Sequence, residues 1–355
     1  MHRIIYHEIG SYRRVLADPS RPRYAAWDAC IKYADNDSGE LSVTVAPDNP
    51  EIIAMSALAS ELVVEEDGLE IWRGRMLDAE TDIYGRTRII AKGVLDYLHD
   101  TVQPEAKLSG SAKDVFTAII AAHNGKPIED HKRFRIGTVS VSAQISEYAV
   151  KVGAVTWSVV SAIVKKYGGH IIVRRVDTWN YIDWIDAITD VCSQTVRIGS
   201  NLLDIKRSVN ADSIATVIYP YGKSTDGVPL GIGSVNGGVE YIADDAVNTF
   251  GWIESTYNDG SCEDAQQLIT AARAELKRRV SDACTITVSA VDLSDITAAE
   301  HIEINKKVHV IAAKQGIDEL MPCKAMTRYL WDPTRTTISL GASTRAISAI
   351  IGGML

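Results

Sequence analysis

A chain of 355 residues and 38.7 kDa exceeds what one hydrophobic core usually organises, which rules out a single small domain and favours two to four units. With 46% hydrophobic and 23% charged residues it is not a disordered polymer, and its net charge of −9 argues against a protein that works by gripping phosphate backbones. Cys30, Cys192, Cys262, Cys284 and Cys323 form no C-x-x-C pair, and neither a signal-peptide core nor an 18-residue apolar run occurs, so no zinc site, cofactor, disulfide framework, secretion signal or membrane span is expected.

From Trp27 to Asp96 the pattern is strand after strand. Ala29 to Tyr33 and Leu41 to Val45 flank the polar run Asp35 to Gly39, a hairpin signal. Leu62 to Glu65 and Leu69 to Arg73 flank Asp67-Gly68, while Arg75 to Thr81 and Thr87 to Lys92 flank Tyr84-Gly85. The period then becomes helical: Ala112, Val115, Phe116, Ile119 and Ile120 follow a capping Ser111 and precede Asn124-Gly125. A second helix spans Thr156 to Tyr167, with Trp157, Val160, Ile163 and Val164 on its buried stripe and Gly168-Gly169 as its stop. Strands return from Leu202 to Tyr219 and from Thr285 to Leu340. Between them lie a Gly-rich loop, Gly227 to Gly238, and a polar helix, Cys262 to Val280, bearing Leu268, Ile269, Ala272, Leu276 and Val280. After Gly341, Ile347, Ile350, Ile351, Met354 and Leu355 fall on one helical face; a contact between copies on an oligomer axis is set against a frayed terminus or a helix folded back on its own barrel.

An internal repeat is visible. Gly68 and Gly93 bracket a unit of the same length as Gly316 and Gly341, at an offset of 248 residues (316 − 68 and 341 − 93). Ile31-Lys32, a polar turn and Leu41 to Val45 resemble Ile205-Lys206, Asn210 to Ser213 and Ala215 to Tyr219 at an offset of 174 (205 − 31). The difference is the length inserted in the second copy. Similar antiparallel sheets also look alike for purely physical reasons. The expected fold is α+β, mainly β: two related antiparallel β-barrels (1–100; 201–222 with 281–341), a helical α+β segment between them (101–200), an insertion in the second barrel (223–280) and a helical tail (342–355).

Chemical signatures are weak. His123 and His131 are split by turn formers and sit near Glu129 and Asp130, which favours a solvated polar loop over a metal site. G-x-S-x-G is absent. Gly231, Gly233 and Ser234 fail the dinucleotide pattern, which needs a glycine where Asn236 stands, so the stretch reads as a loop. Asp183, Asp186 and Asp190, interleaved with Trp179, Tyr181 and Trp184, are the best carboxylate cluster for a sugar site, though a half-exposed amphipathic element shows the same pattern. Glu65, Glu66 and Asp67 read as a water-solvated hairpin tip.

Gly39 to Val45, the strand Leu69 to Gly74 ending in Trp-Arg-Gly, and Gly-Val-Leu-Asp-Tyr-Leu from Gly93 to Leu98 carry a family likeness. So do Asn201-Leu202-Leu203-Asp204 and Ile-Ala-Thr-Val-Ile-Tyr-Pro-Tyr-Gly from Ile214 to Gly222. On these the chain resembles, over nearly its whole length, the phage tail hub family: the amino-terminal region of tail-associated lysins, also called phage minor structural proteins, related in fold to the baseplate hub of contractile tails. The resemblance implies a homotrimeric virion protein of the tail tip, made in the host bacterial cytoplasm. Two similar barrels per subunit would form a pseudo-sixfold torus docking on the sixfold distal tail ring. The implied partners are that ring, the end of the tape measure protein, a spike or fibre protein, and DNA in transient passage without specific binding. Many members continue into a peptidase or fibre; this sequence ends at Leu355, so no enzyme activity is expected. The alternatives are a cell-wall or glycan hydrolase using Asp183, Asp186 and Asp190, and a monomeric carbohydrate-binding module using Trp179 and Trp184.

Overall fold

Alternating apolar and polar residues in the first hundred positions resolve into seven antiparallel strands: β1 (His2–Glu8), β2 (Arg14–Ala17), β3 (Ala26–Ala34), β4 (Glu40–Val45), β5 (Ser60–Glu66), β6 (Leu69–Thr81) and β7 (Thr87–Gly93). They pair in the order β3-β4-β7-β6-β5-β1-β2. Every strand sends side chains into one core, among them Ile4, Leu16, Ile31, Leu41, Val64, Trp72 and Ile89, so the sheet curls around it. The Asp67-Gly68 turn forms as expected, both residues holding positive φ, the conformation that suits a tight hairpin and that glycine adopts freely. The computed structural model describes residues 2–8, 13–209, 214–282, 284–290, 300–313 and 317–341.

The middle segment comprises β8 (Ala106–Ser111), α1 (Ala112–Asn124), β9 (Phe134–Val139), β10 (Gln144–Val150), α2 (Thr156–Tyr167), β11 (His170–Val176) and β12 (Trp179–Ile185). Ser111 caps α1 as expected: its hydroxyl accepts from the Asp114 N–H while the Asp114 carboxylate accepts from the Ser111 N–H. The apolar faces of α1 and α2 close over the sheet β11-β12-β9 around Phe116, Ile120, Val160, Ile163 and Trp184. The segment is tied to the β3–β4 turn by His170 against Asp35 (2.7 Å) and by the Ile171 N–H donating to Asn36 Oδ1 (2.7 Å).

β13 (Val191–Arg197) and β14 (Leu202–Val209) begin the second half. An excursion follows: β15 (Val217–Tyr221), β16 (Ser224–Thr225), β17 (Val228–Pro229), β18 (Ile242–Ala243), α3 (Val247–Phe250), β19 (Glu254–Asn258) and α4 (Ala265–Asp282). Then come β20 (Cys284–Ala290), β21 (Lys307–Ala312), β22 (Ile317–Tyr329) and β23 (Thr337–Gly341). β15 was expected to lie beside Ile205-Lys206. It pairs instead with β18 and β19, because α4 lays Ala272, Leu276 and Val280 on Ala215 and Ile218 and gives the excursion a core of its own. β20 takes the place beside β14. Val191–Arg197, expected in the middle segment, pairs with β21.

The second half runs β14-β20-β23-β22-β21-β13, the same order as β3-β4-β7-β6-β5-β1. Its last strand differs in direction, since β13 is parallel to β21 whereas β1 is antiparallel to β5. The ladders correspond pair by pair. Met76 faces Ala91 and a bulge follows before Asp78; Cys323 faces Leu340 and a bulge follows before Ala325. Ala79 with Ile89 corresponds to Met326 with Ile338, and Leu62 with Gly74 to Val308 with Met321. This alignment keeps core faces together and lies one residue away from the offset suggested by the glycines. Because Leu340 corresponds to Ala91, Gly341 corresponds to Lys92 and not to Gly93, so those glycines are not equivalent positions; Gly316 lies outside the described residues.

The mainly β, α+β architecture is as expected, but the strands do not close into two barrels. They form one 13-stranded sheet because the outer edge of β3, which barrel closure would need, pairs with β22 of the second half.

Candidate functional site

The carboxylates singled out in the sequence do not converge. Asp183 is buried on β12, where it accepts from Arg174 Nε (2.8 Å) and from the Thr138 N–H. The Asp186 N–H donates to Ser140 Oγ (2.9 Å), and the Asp190 carbonyl accepts from the Lys307 N–H (2.7 Å). Trp184 is a core side chain whose indole N–H donates to Gly168 (2.9 Å), and Trp179 carries the Arg135 guanidinium on its ring at 3.8 Å. The glycines at 231 and 233 have an internal purpose: the Glu240 carboxylate accepts from the Ile232 and Gly233 N–H groups (3.1 and 3.2 Å), and a Cβ at either glycine would collide with it. A 420 Å³ cavity beside it has its two charged side chains already engaged, Glu240 there and Lys223 on Glu263. Among the described residues, no group of three or more His, Cys, Asp or Glu is arranged to hold a metal ion, and no helix is long and apolar enough to cross a membrane. Burial pushes the Cys323 thiol up to about 12, which removes it as a nucleophile near neutral pH. Ile347, Ile350, Ile351, Met354 and Leu355 lie outside the described residues.

His123 belongs to the structure of the middle segment. Its ring is fully buried, Nε2 donates to the Lys132 carbonyl (3.0 Å) and Nδ1 faces the Thr101 hydroxyl (2.7 Å), an arrangement that suits the neutral imidazole. Burial depresses its pKa below the ordinary 6.5, and does the same to His131. The native state therefore holds fewer protons than the unfolded chain once pH falls below about 6.5. Stability is fully present above that value and declines as pH falls toward the depressed native pKa values. Urea melts between pH 8 and pH 5 are expected to show this decline, with a shallower slope in His123→Gln, which leaves only His131.

Long-range polar contacts gather at the joint between the halves of the sheet. Ala325 to Tyr329 of β22 pair with Ala34 to Cys30 of β3. Beyond the ladder, Leu330 enters the first core and donates its N–H to the Ala29 carbonyl (3.0 Å), and Trp331 packs beside it with its indole N–H on the His2 carbonyl (3.3 Å). Glu66 is the electrostatic hub. One oxygen lies 2.9 Å from His2 Nε2 and 3.1 Å from Arg328, and the other 2.9 Å from His301. Half-buried Tyr33 touches both cores, and burial pushes its phenol above the ordinary range. Glu66 is thus an anchor, in place of the solvated tip residue expected from the acidic run. The contacts that show this join Glu66 to residues at positions 2, 301 and 328, which no local pattern in the acidic run marks.

With the geometry established, likeness to known proteins is informative. Residues 192–351 match the family model described as prophage endopeptidase tail. No curated protein matches the sequence. The fold is similar to the 43 kDa tail protein of prophage MuSo2 from Shewanella oneidensis, with TM-score 0.66, 11% identity, 98% of this chain and 99% of that one covered. It is equally similar to a tail protein from Neisseria meningitidis MC58, with TM-score 0.66, 13% identity and 98% of each chain covered. A component of the Escherichia coli type VI secretion system, described as structurally similar to the T4 tail proteins gp27 and gp5, superposes with TM-score 0.52 at 7% identity, covering 88% of this chain and 72% of that one. The chain therefore has the fold of prophage tail proteins, and the resemblance to the phage tail hub family read from its sequence holds.

Proposed function

We propose that this chain is a structural, non-enzymatic hub of a phage or phage-derived tail tip. Three copies close a ring that joins the distal tail ring to a spike or fibre and lets DNA through. The observation that carries this reading is the pair of sheet halves with one strand order, β3-β4-β7-β6-β5-β1 and β14-β20-β23-β22-β21-β13. A chain that carries one ring element twice lets three subunits present six matching positions to a sixfold partner. The likeness to prophage tail proteins along the whole chain supports the reading, as does the weaker likeness to a chain of the Francisella PdpA-VgrG complex. The expected neighbours are the distal tail ring, the end of the tape measure protein and the spike or fibre; the expected location is the virion, after synthesis in the host cytoplasm. At −9 per chain, the ring repels phosphate and releases DNA without holding it. The engagement of the buried Asp183 carboxylate with Arg174 and Thr138 takes one of the three carboxylates of the hydrolase alternative out of acid–base work. Electron microscopy of the purified chain tests the proposal: threefold particles with an axial opening support it, and featureless monomeric particles at micromolar concentration refute it.

A further inference from the structure

We propose that the joint inside the chain is repeated between copies: the free end of β6 in one subunit pairs antiparallel with β14 of the next, and the tip Ile83-Tyr84 seats on that subunit's second half. This rests on the ring reading above and gives it a contact. The subject is an interface between two copies of this chain, and the template for it is the β22–β3 joint.

β22 uses one edge twice. Ile317 to Pro322 pair with β21, a bulge follows at Cys323, and Ala325 to Tyr329 pair with β3. β6, also 13 residues long, begins the same way: Leu69 to Arg75 pair with β5 and the matching bulge follows Met76. From Asp78 onward that edge of β6 has no strand partner among the described residues. The receiving strands show the same asymmetry. β3 is paired on both edges, by β4 and β22, whereas among the described residues its counterpart β14 is paired only by β20. Among the described residues each chain thus leaves a donor edge on β6 and an acceptor edge on β14 that match the two sides of the β22–β3 joint, which is what a head-to-tail ring requires.

The tips repeat the pattern. Carrying the bulge alignment forward matches Leu330 with Ile83 and Trp331 with Tyr84. Leu330 is 2% exposed in the first core, while Ile83 is 91% and Tyr84 70% exposed. A bare isoleucine and tyrosine beside an unpaired strand edge mark an interaction surface.

The register can be transferred. Ile31 faces Leu41, which faces Ala91; Arg207 faces Ile286, which faces Leu340. Position 207 therefore corresponds to 31, and position 206 to 30. Since Tyr329 pairs with Cys30 and Thr327 with Lys32, Asp82 should face Lys206 and Glu80 should face Ser208 of the neighbouring copy. In this register Asp82 meets Lys206, a pair of opposite charges across the ladder, while Arg207 faces Thr81.

The test uses the full chain in two variants. Glu80→Cys/Ser208→Cys, mildly oxidised, is expected to give covalent dimers and trimers on non-reducing gels, with neither single variant doing so. Ile83→Asp/Tyr84→Asp, two exposed positions, is expected to reduce the solution mass threefold to that of one chain while leaving circular dichroism and melting of the monomer intact. A wild-type ring that gives no E80C/S208C crosslink and survives I83D/Y84D overturns this joint and leaves the ring reading standing. A wild-type chain that stays monomeric overturns both.

Discussion

Glu66→Ala is expected to destabilise the protein by about 3 kcal/mol, because it leaves the Arg328 side chain, 11% exposed, without its carboxylate partner in the joint between the halves. His2 and His301 lose the same partner, so the effect should exceed that of removing any surface ion pair on the sheet. Glu66→Met/Arg328→Met should recover most of the loss, since apolar groups of similar volume remove the desolvation cost of both ions together. Denaturant unfolding followed by tryptophan fluorescence measures both, Trp331 lying beside the changed residues. A loss below about 1 kcal/mol for Glu66→Ala would mean that the ladder and Leu330 hold the halves together without it.

Trp184→Ala is expected to cost about 3–5 kcal/mol, by the cavity it opens next to Phe116 and by the indole hydrogen bond it removes from Gly168. Trp179→Ala should cost about 1 kcal/mol or less, because it removes one cation–π contact with Arg135 at the surface. The contrast separates a core tryptophan from one half of a sugar platform, and thermal unfolding of the two variants reads it directly. If Trp184→Ala leaves the melting temperature unchanged, the core of the middle segment is wrongly described.

Much of this was legible locally. The Asp67-Gly68 turn, the Ser111 cap and the stripes of α1, α2 and α4 follow from periodicity and from residues whose conformational preferences are strong. What lay hidden was pairing between distant strands. The run Ala215 to Tyr219 reads as a strand whichever sheet receives it, and nothing local says that β18 and β19 compete for it and win. The barrels failed to close for the same reason: β3 looks like any edge until β22, some three hundred residues later, takes it. The repeat was visible through glycines that are not equivalent, since glycine marks bends and bulges, while equivalence is carried by the ladder and the core face. Glu66 was misread because an acidic run is normally solvated, and its partners, His2, His301 and Arg328, are assembled only by the fold.

The central claim is that two equivalent sheet halves in one chain serve a ring of three. The solution mass of the purified wild-type protein by light scattering at micromolar concentration tests it most directly. The account predicts three times 38.7 kDa, stable on dilution; a mass of one chain, 38.7 kDa, would contradict it.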